Sequence, residues 1–196
     1  MANLSDKVAP SGVALLASPV FTGTPSVPTA TVGTNTAQIA TTAFVQNEFQ
    51  LMQVQDQKAN NVDGGSFTSG DWRKRDLNTV VYNSISGASL SSNEITLPAG
   101  TYLIEGYATA NLVANHLTQI RDTSDSSVLI VGVNATSNTN LFNNALSNIK
   151  GKISLAATTT IELVHRCSST KATTGFGYAN DFGSTNVYSD LIIRKV

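Results

Sequence analysis

Leu97-Pro98-Ala99-Gly100-Thr101-Tyr102-Leu103-Ile104-Glu105-Gly106-Tyr107-Ala108-Thr109-Ala110 joins a turn signal to a clean two-residue alternation. Pro-Ala-Gly breaks the chain. After it Tyr102, Ile104, Gly106 and Ala108 fall on one face of an extended strand, and Leu103, Glu105, Tyr107 and Thr109 on the other. The same period recurs at 159–167, where Ile161, Leu163, His165 and Cys167 share a face, so that Cys167 reads as a small buried hydrophobe and His165 as a packed, hydrogen-bonded histidine. Working outward, the pattern predicts strands at 66–72, 77–83, 94–97, 101–110, 116–122, 128–135, 146–155, 159–167 and 187–194. Turn signals separate them: Ser86-Gly87, Asp122-Thr-Ser-Asp125, Ala156-Ala157 and the stretch 180–186. Short strands at this spacing predict an antiparallel β-sandwich or barrel.

Some of these strands are apolar on both faces. Leu103 and Tyr107 stand opposite Tyr102 and Ile104, and Leu191, Ile192 and Ile193 run consecutively. A monomeric sandwich wets one face of each sheet. Apolar groups on both faces call for a second burial surface, and therefore for an oligomer.

N-terminal to the strands, Asn60-Asn-Val-Asp-Gly-Gly65 is a breaker and a domain boundary. Residues 35–58 contain neither Pro nor Gly, and Thr34 or Asn35 can cap a helix start. Ile39, Val45, Phe49 and Met52 give an approximate apolar stripe beside a Gln-rich face, which predicts a helix of about 20 residues, too short to be stable unless it packs against copies of itself. Residues 1–34, punctuated by Pro10, Pro19, Pro25 and Pro28, hold no period and build no core. They read as an extended arm. Three regions result: an arm over 1–34, a helical stalk over 35–60 and a β-domain over 61–196.

Composition limits the function. Among 196 residues the charged fraction is 13% and the net charge -1, while Ser, Thr and Asn make up about a third of the chain. A protein built on phosphate contacts, or held electrostatically on a membrane, needs a basic excess that this chain lacks. No apolar run reaches the length of a membrane span, and the run after Lys7 is too short and too broken by Pro10 and Gly12 for a signal peptide. The single cysteine cannot form an internal disulfide, and the two histidines, at positions 116 and 165, have no zinc-site spacing. No metal and no cofactor is expected. Gly-x-Ser-x-Gly and phosphate-loop motifs are missing, and the chain is not expected to be an enzyme.

Two resemblances add to this reading. Ala17-Ser-Pro-Val-Phe-Thr-Gly-Thr-Pro-Ser-Val-Pro-Thr29, followed by Gly33-Thr-Asn-Thr-Ala-Gln-Ile-Ala-Thr-Thr-Ala-Phe-Val45, resembles a signature of tailed-bacteriophage tail fibres. Asp71-Trp-Arg-x-Arg-Asp-Leu-Asn-Thr-Val80, Leu97-Pro-Ala-Gly-Thr-Tyr102 and Tyr188-x-Asp-Leu-x-Ile193 are similar, in patches, to the C-terminal heads of phage fibre and appendage proteins, which look like the trimeric jelly rolls of the tumour-necrosis-factor and complement-C1q type. Together they imply a mainly-β homotrimeric virion fibre, assembled in the host cytoplasm. An antiparallel jelly-roll knob would follow a short helical stalk and an arm that docks on a tail, collar or capsid protein through Val20 and Phe21. Ile39, Val45, Phe49 and Met52 would then line the trimer stalk.

The loop 170–186 holds the candidate ligand residues. Phe176, Tyr178, Asn180, Asp181 and Phe182 combine aromatic faces with amide and carboxylate groups, a set that suits a host-surface glycan. The same rings also suit a plug at the end of the sandwich or at a subunit interface. Asp71-Trp72-Arg73-Lys74-Arg75-Asp76 sets a basic triplet beside an aromatic. Its charges balance locally, so Arg73 and Arg75 are expected to pair with carboxylates at the mouth of the sandwich rather than to hold nucleic acid or a phosphorylated sugar. Three readings follow: an adhesive virion fibre, a purely architectural capsid or collar fibre that binds no receptor, and a small glycan hydrolase working through a carboxylate pair.

Overall fold

A computed structural model describes residues 23–31, 33–48 and 50–196. The chain divides into two compact units, Met1–Val45 and Gln46–Val196. Val20, Phe21 and Phe49 lie outside the described residues.

The described part of the first unit is irregular up to a single short helix, α1 (Thr42–Glu48). Thr41 caps it: the Phe44 amide donates to Thr41 Oγ1 at 3.0 Å. The helical stalk expected over 35–60 is therefore corrected to this one short helix. Ile39 precedes it and is 62% exposed, and Val45 within it is 47% exposed. Residues 51–58, expected as helix, form a strand instead.

The second unit is a sandwich of two antiparallel sheets. Its strands are β1 (Leu51–Lys58), β2 (Arg73–Lys74), β3 (Thr79–Asn83), β4 (Ser89–Ser91), β5 (Glu94–Leu97), β6 (Gly100–Ala110), β7 (Ala114–Asp122), β8 (Val128–Val131), β9 (Ala135–Ser137), β10 (Ala145–Leu155), β11 (Thr159–Cys167) and β12 (Asn186–Lys195). The five-stranded sheet has the order β10-β6-β12-β1-β3. The seven-stranded sheet has the path β4-β5-β11-β7-β8, with β2 paired to β11 and β9 to β7. The chain stays within one sheet only from β4 to β5 and from β7 through β9, and crosses to the other sheet at every other connection between successive strands. That crossing pattern makes the sandwich a jelly roll.

β1 shows why a strand replaces the expected helix. Met52, Val54 and Asp56 alternate inward, with Gln53, Gln55 and Gln57 between them. β12 pairs with β1 from Leu51↔Arg194 to Lys58↔Asn186, and β3 flanks its other edge. Each neighbour takes the backbone groups of alternate residues, β12 along all of β1 and β3 over Met52–Gln55, and the core takes Met52, which is fully buried. Met52 is thus a core residue of the sandwich and not part of a stalk. The core joins Met52, Val54, Tyr102, Ile104, Ile149, Leu191 and Ile193 of one sheet to Ile95, Leu97, Ile120, Ile161 and Leu163 of the other. β6 and β12 approach closely at Gly106, where a Cβ would run into the carbonyl of Asp190. A smaller cluster of Phe67, Ala110, Val113, Cys167 and Phe176 closes one end.

Candidate functional site

The five loop residues singled out from the sequence do not form one cluster. Phe176 is withdrawn into the end of the sandwich at 9% exposure. Its ring lies 4.5 Å from that of Phe67, and the Arg75 guanidinium sits over it at 4.1 Å. It plugs the sandwich and is removed from the ligand candidates, because no sugar reaches a ring packed on both sides. Asn180 is part of the scaffold: its amide donates to Asn186 Oδ1, and its carbonyl accepts from Asn61. Asp181 accepts from Asn60 Nδ2. Tyr178 is exposed, its ring 4.5 Å from that of Phe142, and Asn144 pins its backbone at both the amide and the carbonyl. Phe182 is 86% exposed.

Beneath this loop lies a buried polar centre. Arg75 is fully buried and uses its whole fork: Nε donates to Ser189 Oγ at 2.9 Å, Nη1 to the Thr109 carbonyl at 3.1 Å, and Nη2 to Asp56 Oδ2 at 3.2 Å and to the carbonyls of Tyr188 and Phe176. The expected pairing of Arg75 with a carboxylate is met by Asp56. Arg73 instead donates to the Thr68 carbonyl. Burial lowers Arg75 to about 10 against the pull of Asp56, and burial raises Asp56 although Arg75 and Lys58 oppose it. Two histidines stand close by. His116 Nδ1 and His165 Nε2 are 2.9 Å apart, so one is the donor and the other the acceptor. Burial, and then the Arg75 charge, push His116 down to about 4 and His165 well below its ordinary value. Both rings are neutral at physiological pH. Cys167 is buried beside them, and burial pushes its thiol up to about 11, which makes it a poor nucleophile. No group of three or more His, Cys, Asp and Glu side chains among the described residues is placed to hold a metal ion.

Two surfaces remain, one on each outer face of the sandwich. On the five-stranded sheet the register sets Tyr82, Gln53, Ile192, Glu105 and Lys150 side by side across β3, β1, β12, β6 and β10. The next outward row sets Gln55, Asp190, Tyr107 and Asn148 together. Gln53 Nε2 donates to both oxygens of Asp190 at 3.1 Å, and Lys150 pairs with Glu105 at 2.8 Å. Glu105, Tyr107, Asp190 and Ile192 enclose a shallow hollow of about 230 Å³.

The other surface is a groove of about 820 Å³ over the seven-stranded sheet. Its floor is built by alternation. His165 and Cys167 of β11 turn inward, which sends Arg166 outward; His116 of β7 turns inward, which sends Asn115 and Leu117 outward. One wall is Asn134, Ala135 and Thr136 at β9. The other is Ser69, Gly70 and Trp72. Gly70 turns that wall at a φ of 93°, and Ser69 bonds Thr170 through both its amide and its hydroxyl. The Arg121 guanidinium lies 4.4 Å over the Trp72 ring, and Gln119 holds it there at 2.9 Å. From this set sequence reading weighs Trp72 as a ligand contact, Asn134 only as the start of an Asn-rich exposed loop, and Cys167 only as a buried hydrophobe. The rest of the lining comes from distant segments whose alternation marks them only as outward-facing.

No family model and no curated protein sequence matches the chain. Among solved structures it is similar to murine APRIL at pH 5.0, with 12% identity, 76% of this chain and 99% of that chain covered and a TM-score of 0.48. It is likewise similar to the globular domain of zebrafish complement 1qA, with 8% identity, 76% and 98% covered and a TM-score of 0.45.

Proposed function

We propose that this chain is a structural fibre protein of a tailed-phage virion, with residues 1–34 docking on a tail, collar or capsid protein and the sandwich serving as a homotrimeric knob that offers its free surfaces to a host-surface glycan. The observation that carries the reading is the outward face of the five-stranded sheet. Leu103 and Tyr107 of β6 and Ile192 of β12 stand there on neighbouring strands, with Tyr82 of β3 beyond β1. The polar groups between them already bond one another, as Gln53 does with Asp190 and Lys150 with Glu105. Covering such a face with a second copy gains roughly 25 cal/mol per Å² of apolar surface and leaves few polar groups without partners. The fibre signature over 17–45 supports the virion role.

The test is the solution mass of the full chain by light scattering. The expected mass is that of three chains, and Ile192→Asp, which sets a charge in the middle of the contact, is expected to yield a folded monomer. A monomeric wild-type chain overturns the trimer. The architectural reading gains if the trimer forms but binds no glycan.

A further inference from the structure

We infer that the groove between Trp72 and β9 is a saccharide subsite, and that the sugar it takes carries a carboxylate. This deepens the adhesive reading and rests on it. The groove and the five-stranded sheet's outer face lie on opposite sides of one sandwich, so burying that face in a trimer leaves the groove open.

The inventory of unused hydrogen-bonding groups sets the chemistry. Arg166 is exposed on the floor and has no ion-pair partner among the described residues. Asn115 uses its Oδ1 to accept from Thr136 at 2.9 Å, which leaves its Nδ2 to donate. The Trp72 ring nitrogen and the Asn134 amide also lack partners among the described residues. No lining residue is Asp or Glu. The free groups are therefore mostly donors around one cation, a set that selects an acceptor-rich anion. A guanidinium fork matches a carboxylate in two parallel bonds. The indole supplies what a bare anion does not need: a flat apolar wall for the C–H face of a sugar ring, held in place by Arg121. Ser168 is committed to the Asn115 backbone, and Thr136 to the Asn115 side chain, so the lining is braced before a ligand arrives.

Trp72 is the only tryptophan of the chain, so its emission reports on this groove alone. The full chain is titrated with short hexuronate oligomers, with the same oligomers after carboxyl reduction, and with a phosphate-bearing oligosaccharide. The expected result is a saturable change in emission with the hexuronate, weakened about tenfold by carboxyl reduction and about tenfold by Arg166→Gln. Arg166 is exposed and unpaired, so this variant keeps its fold, which a thermal melt confirms. A silent Trp72, equal affinity for the reduced oligomers, tighter binding of the phosphate-bearing sugar, or an unaffected Arg166→Gln variant each overturns the assignment. Binding of the chain to host cells is measured in parallel. Cell binding with a silent Trp72 sinks the groove and leaves the adhesive reading standing, whereas loss of both sinks the two together.

Discussion

His116 and His165 share one hydrogen bond inside the sandwich, and neither accepts a proton easily, because burial and the nearby Arg75 charge both oppose it. An unfolded histidine protonates near 6.5, while His116 in the fold does so only at about 4. Between those values the unfolded state binds more protons, so stability falls as pH falls through the window. Asp56 acts in the opposite sense: its folded pKa is raised, so acid relieves part of its burial penalty. Thermal melts between about pH 7 and pH 4 are expected to drop for the wild type. They are expected to run flatter for the double variant His116→Gln/His165→Gln, which starts from a lower melting temperature. Parallel slopes for the two proteins refute a neutral pair. Nothing in the sequence joined these residues, since histidines 49 positions apart meet only because β7 and β11 pair with Cys167 opposite His116.

β1 gives the element-scale test. Met52→Ala removes a fully buried side chain from a two-sheet core and is expected to destabilise the knob by roughly 2–5 kcal/mol, read as a lower urea midpoint. A midpoint unchanged from wild type contradicts the core placement. Strands at 94–97 and 159–167 were legible to the residue, and the one at 101–110 starts only one residue earlier, because each sets a run of inward residues at a two-residue period. β1 alternates as well, but its third inward residue is Asp56, and its outward positions are glutamines, which accept a helix readily. The pairing with β12 and β3, not local preference, decides it. The expected strand over 66–72 shrinks to one bridge between Phe67 and Lys171, since Gly70 turns the chain before β2 begins. The expected strand over 128–135 divides into β8 and β9 around Gly132, where a Cβ would strike the Thr118 hydroxyl. The groove was the least legible part: its residues come from four segments, and only the fold brings them to one place.

At the scale of the whole molecule, docking and knob formation are expected to fall to different parts of the chain. Deleting residues 1–34 is expected to leave a soluble trimer, because Met52 through Ile193 supply a core that joins both sheets, and to abolish incorporation into particles. Particles that still carry the truncated chain contradict the docking role. The deletion is scored by the protein composition of purified particles, with the mass of the free truncated chain as the control.

Arg75 carries a consequence for the order of folding. Its partners lie at positions 56, 109, 176, 188 and 189, so a ribosome releases the guanidinium long before it releases Ser189 and the Tyr188 carbonyl. Until β12 arrives, this cation has no complete set of acceptors and stays in water, which keeps the end of the sandwich from closing. β12 also lies between β6 and β1, so its absence opens an edge on each of these two strands, which the finished sheet pairs. A chain interrupted before residue 186 therefore cannot present the five-stranded face to a neighbour. Removing residues 186–195 is therefore expected to abolish the self-association proposed for that face, read as a monomeric mass by light scattering.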